Sequence, residues 1–97
     1  MSTTFQVTTT QLRAKANELR ASNRDLNMKV EQLKMSKRSL DSMWDGDANN
    51  EFNTHFDRDI AQMMDFYNEI NRYIEKLEAI ACEYENAERT AVNIAKF

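Results

Sequence analysis

The sequence predicts an all-α protein, built as an antiparallel hairpin of two long helices. One Gly and no Pro occur in 97 residues, and a β or α/β fold would need far more turn-forming residues. Apolar residues recur every seven positions in both halves of the chain, a spacing typical of helices that pack along their length. At this length we expect residues 1–97 to form a single domain.

The two halves also differ in charge. Residues 8–41 contain eight Lys and Arg against four Asp and Glu, a net charge of +4. Residues 45–97 contain five against twelve, a net charge of −7. Opposite charges favour the two helices as neighbours.

The first helix is predicted over about residues 8–41. Thr8 and Gln11 have the spacing of a capping box, in which each side chain bonds the other residue's backbone amide. Five leucines then follow at heptad spacing, with Ala16, Asn23, Val30 and Lys37 at the intermediate positions of the same stripe. The leucines are Leu12, Leu19, Leu26, Leu33 and Leu40.

The turn is predicted over residues 42–47, which contain the only Trp and the only Gly of the chain, Trp44 and Gly46. Gly46 can adopt a positive φ just past a helix end. Asp45 or Asp47 can cap the next helix.

The second helix is predicted over about residues 48–90, followed by a flexible tail over about 90–97. Its apolar residues form three heptad rows, which is more than one partner helix can cover. We therefore expect a second molecule to pack on it, so that two hairpins form a four-helix bundle. The first row is Phe56, Met63, Ile70, Leu77 and Tyr84, the second is Ile60, Tyr67, Ile74 and Ala81, and the third is Phe52, Phe66, Tyr73 and Ile80.

A single register aligns the two helices, because the residue numbers of four apolar pairs add up to the same value. The pairs are Leu12 with Leu77, Leu19 with Ile70, Leu26 with Met63, and Leu33 with Phe56. In this register the start of the first helix, near Thr8, lies opposite Ala81. The segment after Ala81 is then expected to extend past the first helix. The hairpin and dimer interfaces are expected to use the five leucines together with Phe52, Phe56, Met63, Phe66, Ile70, Ile74 and Leu77.

A hairpin of about a hundred residues with Trp44-Asp45-Gly46 in its turn resembles the WXG ("WXG-hundred") family, small early-secreted-antigen-type substrates of bacterial type VII secretion. A second motif of that system, Tyr-x-x-x-Asp/Glu in the C-terminal segment, matches Tyr84 to Glu88. The resemblance covers essentially the whole chain. It implies export as a folded dimer whose composite signal joins the Trp-x-Gly turn of one subunit to the Tyr-x-x-x-acid segment of the other.

The resemblance also implies partners. A type VII secretion ATPase is expected to bind the signal, which consists of Trp44, Gly46, Tyr84 and Glu88. Because this chain has both motifs, a homodimer is favoured, but the polar residues Asn23 and Lys37 can specify a different partner. The alternatives are a heterodimer with another WXG-type protein, or with the targeting domain of a secreted toxin that this chain escorts. A structural coiled-coil adaptor with no export role also fits the helical pattern.

Structural explanations compete with these roles. Trp44 and Tyr84 can be ordinary packing residues, and Cys82 is expected to be an unreactive surface or half-buried thiol. His55 is spaced from Glu51 and Asp59 as metal ligands on one helix face can be, but this pattern is more often solvated surface. We therefore expect no metal, no cofactor and no enzymatic activity.

Composition and the N-terminal sequence bear on nucleic acid binding, membrane contact and the route of secretion. The net charge of −3 disfavours nucleic acid binding, and no apolar run has the ~18 residues needed to span a membrane. Membrane contact is not expected, because dimerisation explains the apolar face of the second helix better. The N-terminal sequence lacks the pattern of a signal peptide. We expect synthesis in the bacterial cytoplasm and secretion that does not use a cleavable signal.

Overall fold

A computed structural model describes residues 8–95 of the chain, with the side chains of residues 8–89. Two helices, α1 over Thr9–Asp41 and α2 over Asp47–Ala95, pack against each other as an antiparallel hairpin. The molecule measures 78 × 23 × 18 Å, the shape of a rod. The predicted all-α hairpin is therefore confirmed. α2 continues past the expected end near residue 90, and residues 96–97 of the expected tail lie outside the described residues.

The start of α1 is fixed by the predicted capping box. The Oγ1 atom of Thr8 accepts a hydrogen bond from the Gln11 backbone N–H at 3.1 Å, and the Oε1 atom of Gln11 accepts one from the Thr8 backbone N–H at 3.0 Å. Two amides that have no partner within the helix are thereby bonded.

The centre of the hairpin is a row of buried residues at heptad spacing, here called the central row. On α1 it contains Ala16, Asn23 and Val30, and on α2 it contains Ile74 and Ala81. The leucines lie beside it, since Leu19 is 39% exposed and Leu33 is 42% exposed. Of the two sets of positions in the predicted α1 stripe, the leucines and the intermediate positions, the intermediate positions are the more deeply buried. Small side chains at these positions allow the helix axes to approach closely.

One side of the central row is held by ion pairs between the helices. Arg13 bonds Glu85 and Arg20 bonds Glu78, each at 2.7 Å. Arg13, Arg20 and Glu78 each lie three positions before a central-row residue of their own helix, and Glu85 follows Glu78 by one heptad. We call this side the ion-pair flank. Sequence reasoning missed it, although the heptad spacing of Arg13 and Arg20, matched by that of Glu78 and Glu85, is the signal that could have revealed it.

The register differs from the predicted one. Pairing Leu26 with Met63 would place Asn23 beside Phe66, but the Nδ2 atom of Asn23 donates to the backbone oxygen of Tyr67 at 3.0 Å and to Oδ1 of Asn71 at 2.9 Å. Residues of α1 therefore contact α2 residues that lie closer to its C-terminus than the predicted register places them. Asn23 also uses its side-chain donors within its own chain, and a role of Asn23 or Lys37 in specifying a different partner stays a prediction.

Candidate functional site

The turn between the helices begins with a tightened end of α1. The Ser42 backbone N–H donates to the carbonyl oxygen of Arg38 at 3.2 Å, and the Met43 N–H donates to that of Leu40 at 3.0 Å. The Ser42 hydroxyl also donates to the Ser39 carbonyl at 2.6 Å. The last carbonyls of α1 are thus bonded before the chain reaches Trp44.

Gly46 starts the second helix instead of ending the first. Its φ is +115°, a conformation that residues with a Cβ rarely adopt. Its carbonyl oxygen accepts a hydrogen bond from the Asn50 N–H at 3.2 Å, so Gly46 is the N-cap residue of α2. The expectation that Asp45 or Asp47 caps α2 is corrected, because Asp47 lies in the first helical turn. There its carboxylate is next to the positive end of the helix dipole.

Trp44 packs against α2. Its ring centroid lies 5.6 Å from that of Phe52 with the planes tilted by 53°, and Phe52 lies 5.9 Å from Phe56 at 30°. These separations are in the range of favourable aromatic pairs. Trp44 is partly buried and Phe52 is 38% exposed. The Trp-x-Gly turn is therefore continuous with the exposed aromatic side chains of α2.

Tyr84 and Glu88 lie one helical turn apart on α2 and are both exposed. The expectation that α1 begins opposite Ala81, leaving Tyr84 on an unaccompanied helix, is wrong. Glu85 bonds Arg13 of the second turn of α1, so α1 lies beside α2 at the level of Tyr84. The error follows directly from the displaced register. Tyr84 is nevertheless 48% exposed and open to contact from outside the hairpin.

The charges near Tyr84 are organised by Arg13. Its hydrogen bonds and attraction to Glu85 lower the pKa of that carboxyl and raise the pKa of the guanidinium. The Nη2 atom of Arg13 also donates a hydrogen bond to the Sγ atom of Cys82 at 3.4 Å. At the other end of α1, hydrogen bonding to Lys37 lowers the pKa of Asp41, with which Lys37 forms a 2.9 Å ion pair.

The remaining candidates for chemistry lie on the surface. Cys82 is an exposed free cysteine. Glu51, His55 and Asp59 are exposed as well. Over the part of the chain that the structure describes, no group of His, Cys, Asp and Glu is arranged to hold a metal ion.

Opposite the ion-pair flank, the hairpin has an apolar side. In each helix, the residues four positions before the central row, and those at heptad spacing from them, are mainly apolar. The ion pairs join residues that lie at the same offset from the central row on the two helices, so these apolar rows of α1 and α2 also lie side by side. We call this side the apolar flank, and it includes the neighbouring outer row of α2, which contains Phe52, Phe66, Tyr73 and Ile80. Its members that expose more than a third of their surface are Leu19, Leu33, Phe52, Met63, Phe66, Tyr73 and Tyr84. A shallow groove on α2, lined by Tyr73, Lys76, Leu77 and Ile80, belongs to the same surface.

The two candidate motifs lie at opposite ends of the hairpin. Trp44 follows the end of α1, whereas Tyr84 lies near its beginning. The 33 residues of α1 span about 50 Å at the rise of an α-helix. One chain therefore cannot present Trp44 and Tyr84 to the same small binding site.

Comparison with known proteins identifies one similarity. A model of the family WXG100, described as proteins of 100 residues with WXG, matches residues 4–89. Among curated proteins and among solved structures, none matches the chain. In the described residues, neither helix is long and apolar enough to cross a membrane.

Proposed function

Because the chain belongs to the WXG100 family, whose membership implies a small protein secreted by the type VII pathway, we propose that it is exported as a folded, antiparallel homodimer. In this proposal the signal is composite. Trp44 and Gly46 of one subunit lie beside Tyr84 and Glu88 of the other, and a secretion ATPase recognises them together. The protein acts by protein–protein recognition, without catalysis.

The separation of the two motifs carries this proposal. They lie at opposite ends of α1, about 50 Å apart by its helical rise, and both include part-exposed aromatic residues. Two hairpins packed in opposite directions bring each turn next to the other chain's Tyr84 segment. The arrangement forms two composite sites in each dimer, related by the two-fold symmetry usual in homodimers.

The apolar flank supports the dimer. Its aromatic residues include Phe66 at 54% exposure and Tyr73 at 58%, and contiguous exposed apolar surface is typical of a protein–protein interface. Burial of this surface stabilises the dimer by roughly 25 cal/mol for each Å² removed from water. The ion-pair flank stays outside, where its charges remain solvated.

The homodimer is favoured over a heterodimer by two features. The chain has both motifs, so two copies complete both sites. Asn23, the buried polar residue that was a candidate for specifying another partner, donates its hydrogen bonds to Tyr67 and Asn71 of its own chain.

Complementation between two defective chains tests the composite signal. Trp44→Ala and Tyr84→Ala chains are each expected to fail in export when expressed alone in a host with the type VII system. Co-expressed, they form mixed dimers in which the intact Trp44 of one chain lies beside the intact Tyr84 of the other. Export should then return.

The matched control is a chain with both substitutions, co-expressed with the unmodified chain. Its mixed dimers have no complete site, so export of the doubly substituted chain should not be rescued. Failure of the first pair to complement, with mixed dimers shown by affinity-tag capture, would assign the signal to a single chain. Normal export of either single variant would remove its residue from the signal. Co-purification of a stoichiometric larger protein would support the escort alternative.

A further inference from the structure

The backbone around Trp44 makes few hydrogen bonds that could fix the position of its ring. Trp44 and Asp45 lie between the end of α1 and the start of α2 and belong to neither helix. The backbone hydrogen bonds of the turn involve Ser42 and Met43 before them and Gly46 after them. A side-chain contact must therefore hold the ring where it is.

Phe52 makes that contact. Its ring lies 5.6 Å from the ring of Trp44, and its other neighbour, Phe56, lies one turn further along α2 at 5.9 Å. Phe52 belongs to a helix whose backbone is fixed, so it offers a rigid surface on which the indole can rest. The order of contact is Trp44, Phe52, Phe56, from the turn into the helix.

We propose that Phe52 is the positioning residue for Trp44, the side chain that sets the orientation in which the indole is presented. Its effect on export rests on the function proposed above, but the orientation itself does not. Phe52 also belongs to the apolar flank and is 38% exposed. A second copy that covers this flank contacts the same ring that supports Trp44, which connects dimer formation to the presented turn.

Tryptophan fluorescence tests the positioning directly, because Trp44 is the only Trp of the chain. In Phe52→Ala, the indole loses its support, so its emission should move to longer wavelength and quenching by acrylamide should increase. Phe52→Leu keeps an apolar side chain without the ring and should also increase quenching, whereas Phe52→Tyr should restore the original spectrum. Helicity, measured by circular dichroism, should be retained in all three.

Phe66→Ala is the matched control. Phe66 is a Phe of the same outer row, exposed by 54% and four helical turns from Phe52. At matched oligomeric state, its removal should leave the emission and quenching of Trp44 unchanged. Unchanged Trp44 fluorescence in both Phe52→Ala and Phe52→Leu, or an equal change in Phe66→Ala at matched oligomeric state, would overturn the positioning role.

Export of the same variants separates this inference from the proposed function. Phe52→Ala should be exported less than Phe52→Tyr, in proportion to the change in Trp44 fluorescence. If Trp44→Ala abolishes export while Phe52→Ala changes neither export nor fluorescence, the signal stands and the positioning role fails. If Trp44→Ala is exported normally, the composite signal fails, and the fluorescence series still decides whether Phe52 positions the ring.

Discussion

Arg13, near the beginning of α1, and Glu85 of α2 form an ion pair of 2.7 Å between the two helices. The pair fixes the beginning of α1 at the level of Tyr84, and with Arg20 and Glu78 it marks one side of the hairpin as charged. The apolar flank lies on the other side of the central row. This contact shows how far α1 extends along α2 and which residues lie near Tyr84.

The Arg13–Glu85 ion pair should make the stability of the protein depend on pH in the acidic range. Because Arg13 lowers the folded-state pKa of Glu85, this contribution is complete above the unfolded-state value of about 4.3 and is lost as pH falls through the folded-state pKa. Asp41, whose pKa is lowered by Lys37, acts in the same direction. Thermal melts between pH 7 and pH 3 should show a decreasing melting temperature.

Glu85→Gln should reduce this acid dependence, since the variant has no carboxylate to protonate. Glu69→Gln, at an exposed position of α2, is the control and should retain the dependence of the original protein. An identical pH profile for Glu85→Gln and the original protein would show that the pair contributes nothing measurable, as exposed ion pairs sometimes do.

Asn23 and Asn71 should be energetically coupled across the hairpin. The Nδ2 of Asn23 lies 2.9 Å from Oδ1 of Asn71, and a hydrogen bond of this kind stabilises a fold by about 1 kcal/mol. Chemical denaturation of the two Ala variants and of the double variant should give a favourable coupling energy of about 0.5–2 kcal/mol. A cycle of Asn23 with Asn68, an exposed residue of α2, should give a value near zero. No coupling to Asn71 would contradict the register of the structure.

The elements of the fold could be predicted from the sequence because they depend on local patterns. The capping box of Thr8 and Gln11, the scarcity of turn residues and the heptad repeats determine where helices begin and end. The register could not be predicted in the same way. Heptad rows repeat every seven residues, and rows beside the central one have the same period, so a pairing displaced along α2 also aligns apolar residues.

The spacing of apolar residues does not show which polar side chains meet across the hairpin, and these polar contacts differ between the registers. Asn23 needs hydrogen-bond partners when it is buried, and Arg13 and Arg20 need carboxylates within reach. The observed pairing makes these polar contacts. The Trp-x-Gly turn could be located from its residues, whereas the ring contact of Trp44 with Phe52 required the path of the chain from Gly46 into α2.

The middle of the apolar flank, which includes Phe66 and Tyr73, should form the dimer interface, whereas Tyr84 lies at one end of the flank. Phe66→Glu places a charge on this surface, where its burial is costly, so the variant should be monomeric at concentrations at which the original protein is dimeric. Met28→Glu is the matched control: Met28 is 59% exposed, against 54% for Phe66, but it lies two residues before Val30 and so on the far side of α1. Sedimentation velocity over a concentration series should separate the two. Dimer loss in Met28→Glu alone would move the interface to the other side of α1.

Gly46→Ala should destabilise the protein through backbone strain. A Cβ at this position meets no atom within 4 Å, so steric contact with the rest of the protein is not the cause. The cost comes from φ = +115° and is expected to be about 1–3 kcal/mol in the free energy of unfolding. Replacement by D-alanine through chemical synthesis, which favours positive φ, should recover most of the loss. Equal destabilisation by L- and D-alanine would show that the Cβ itself, and not the backbone conformation, is responsible.

The Tyr84 segment separates recognition from architecture. Tyr84 is 48% exposed and Glu88 follows one turn later, so a groove on a secretion ATPase can take the phenol ring and pair the carboxylate with a cation. Tyr84→Ala and Glu88→Ala should therefore stop export, assayed by immunoblotting of culture medium, while the free energy of unfolding changes by about 1 kcal/mol or less, as for most exposed positions.

Two further variants sharpen the Tyr84 test. Glu88→Asp keeps the acid and should be exported, and Glu83→Ala removes a nearby exposed carboxylate outside the motif and should also be exported. A large fall in melting temperature for Tyr84→Ala would instead identify Tyr84 as a packing residue between α2 and its neighbours. In that case export would have to be compared at matched stability, using Tyr84→Phe, which keeps the ring and removes only the hydroxyl. If Tyr84→Ala and Glu88→Ala are both folded and exported at the original level, the segment takes no part in the signal.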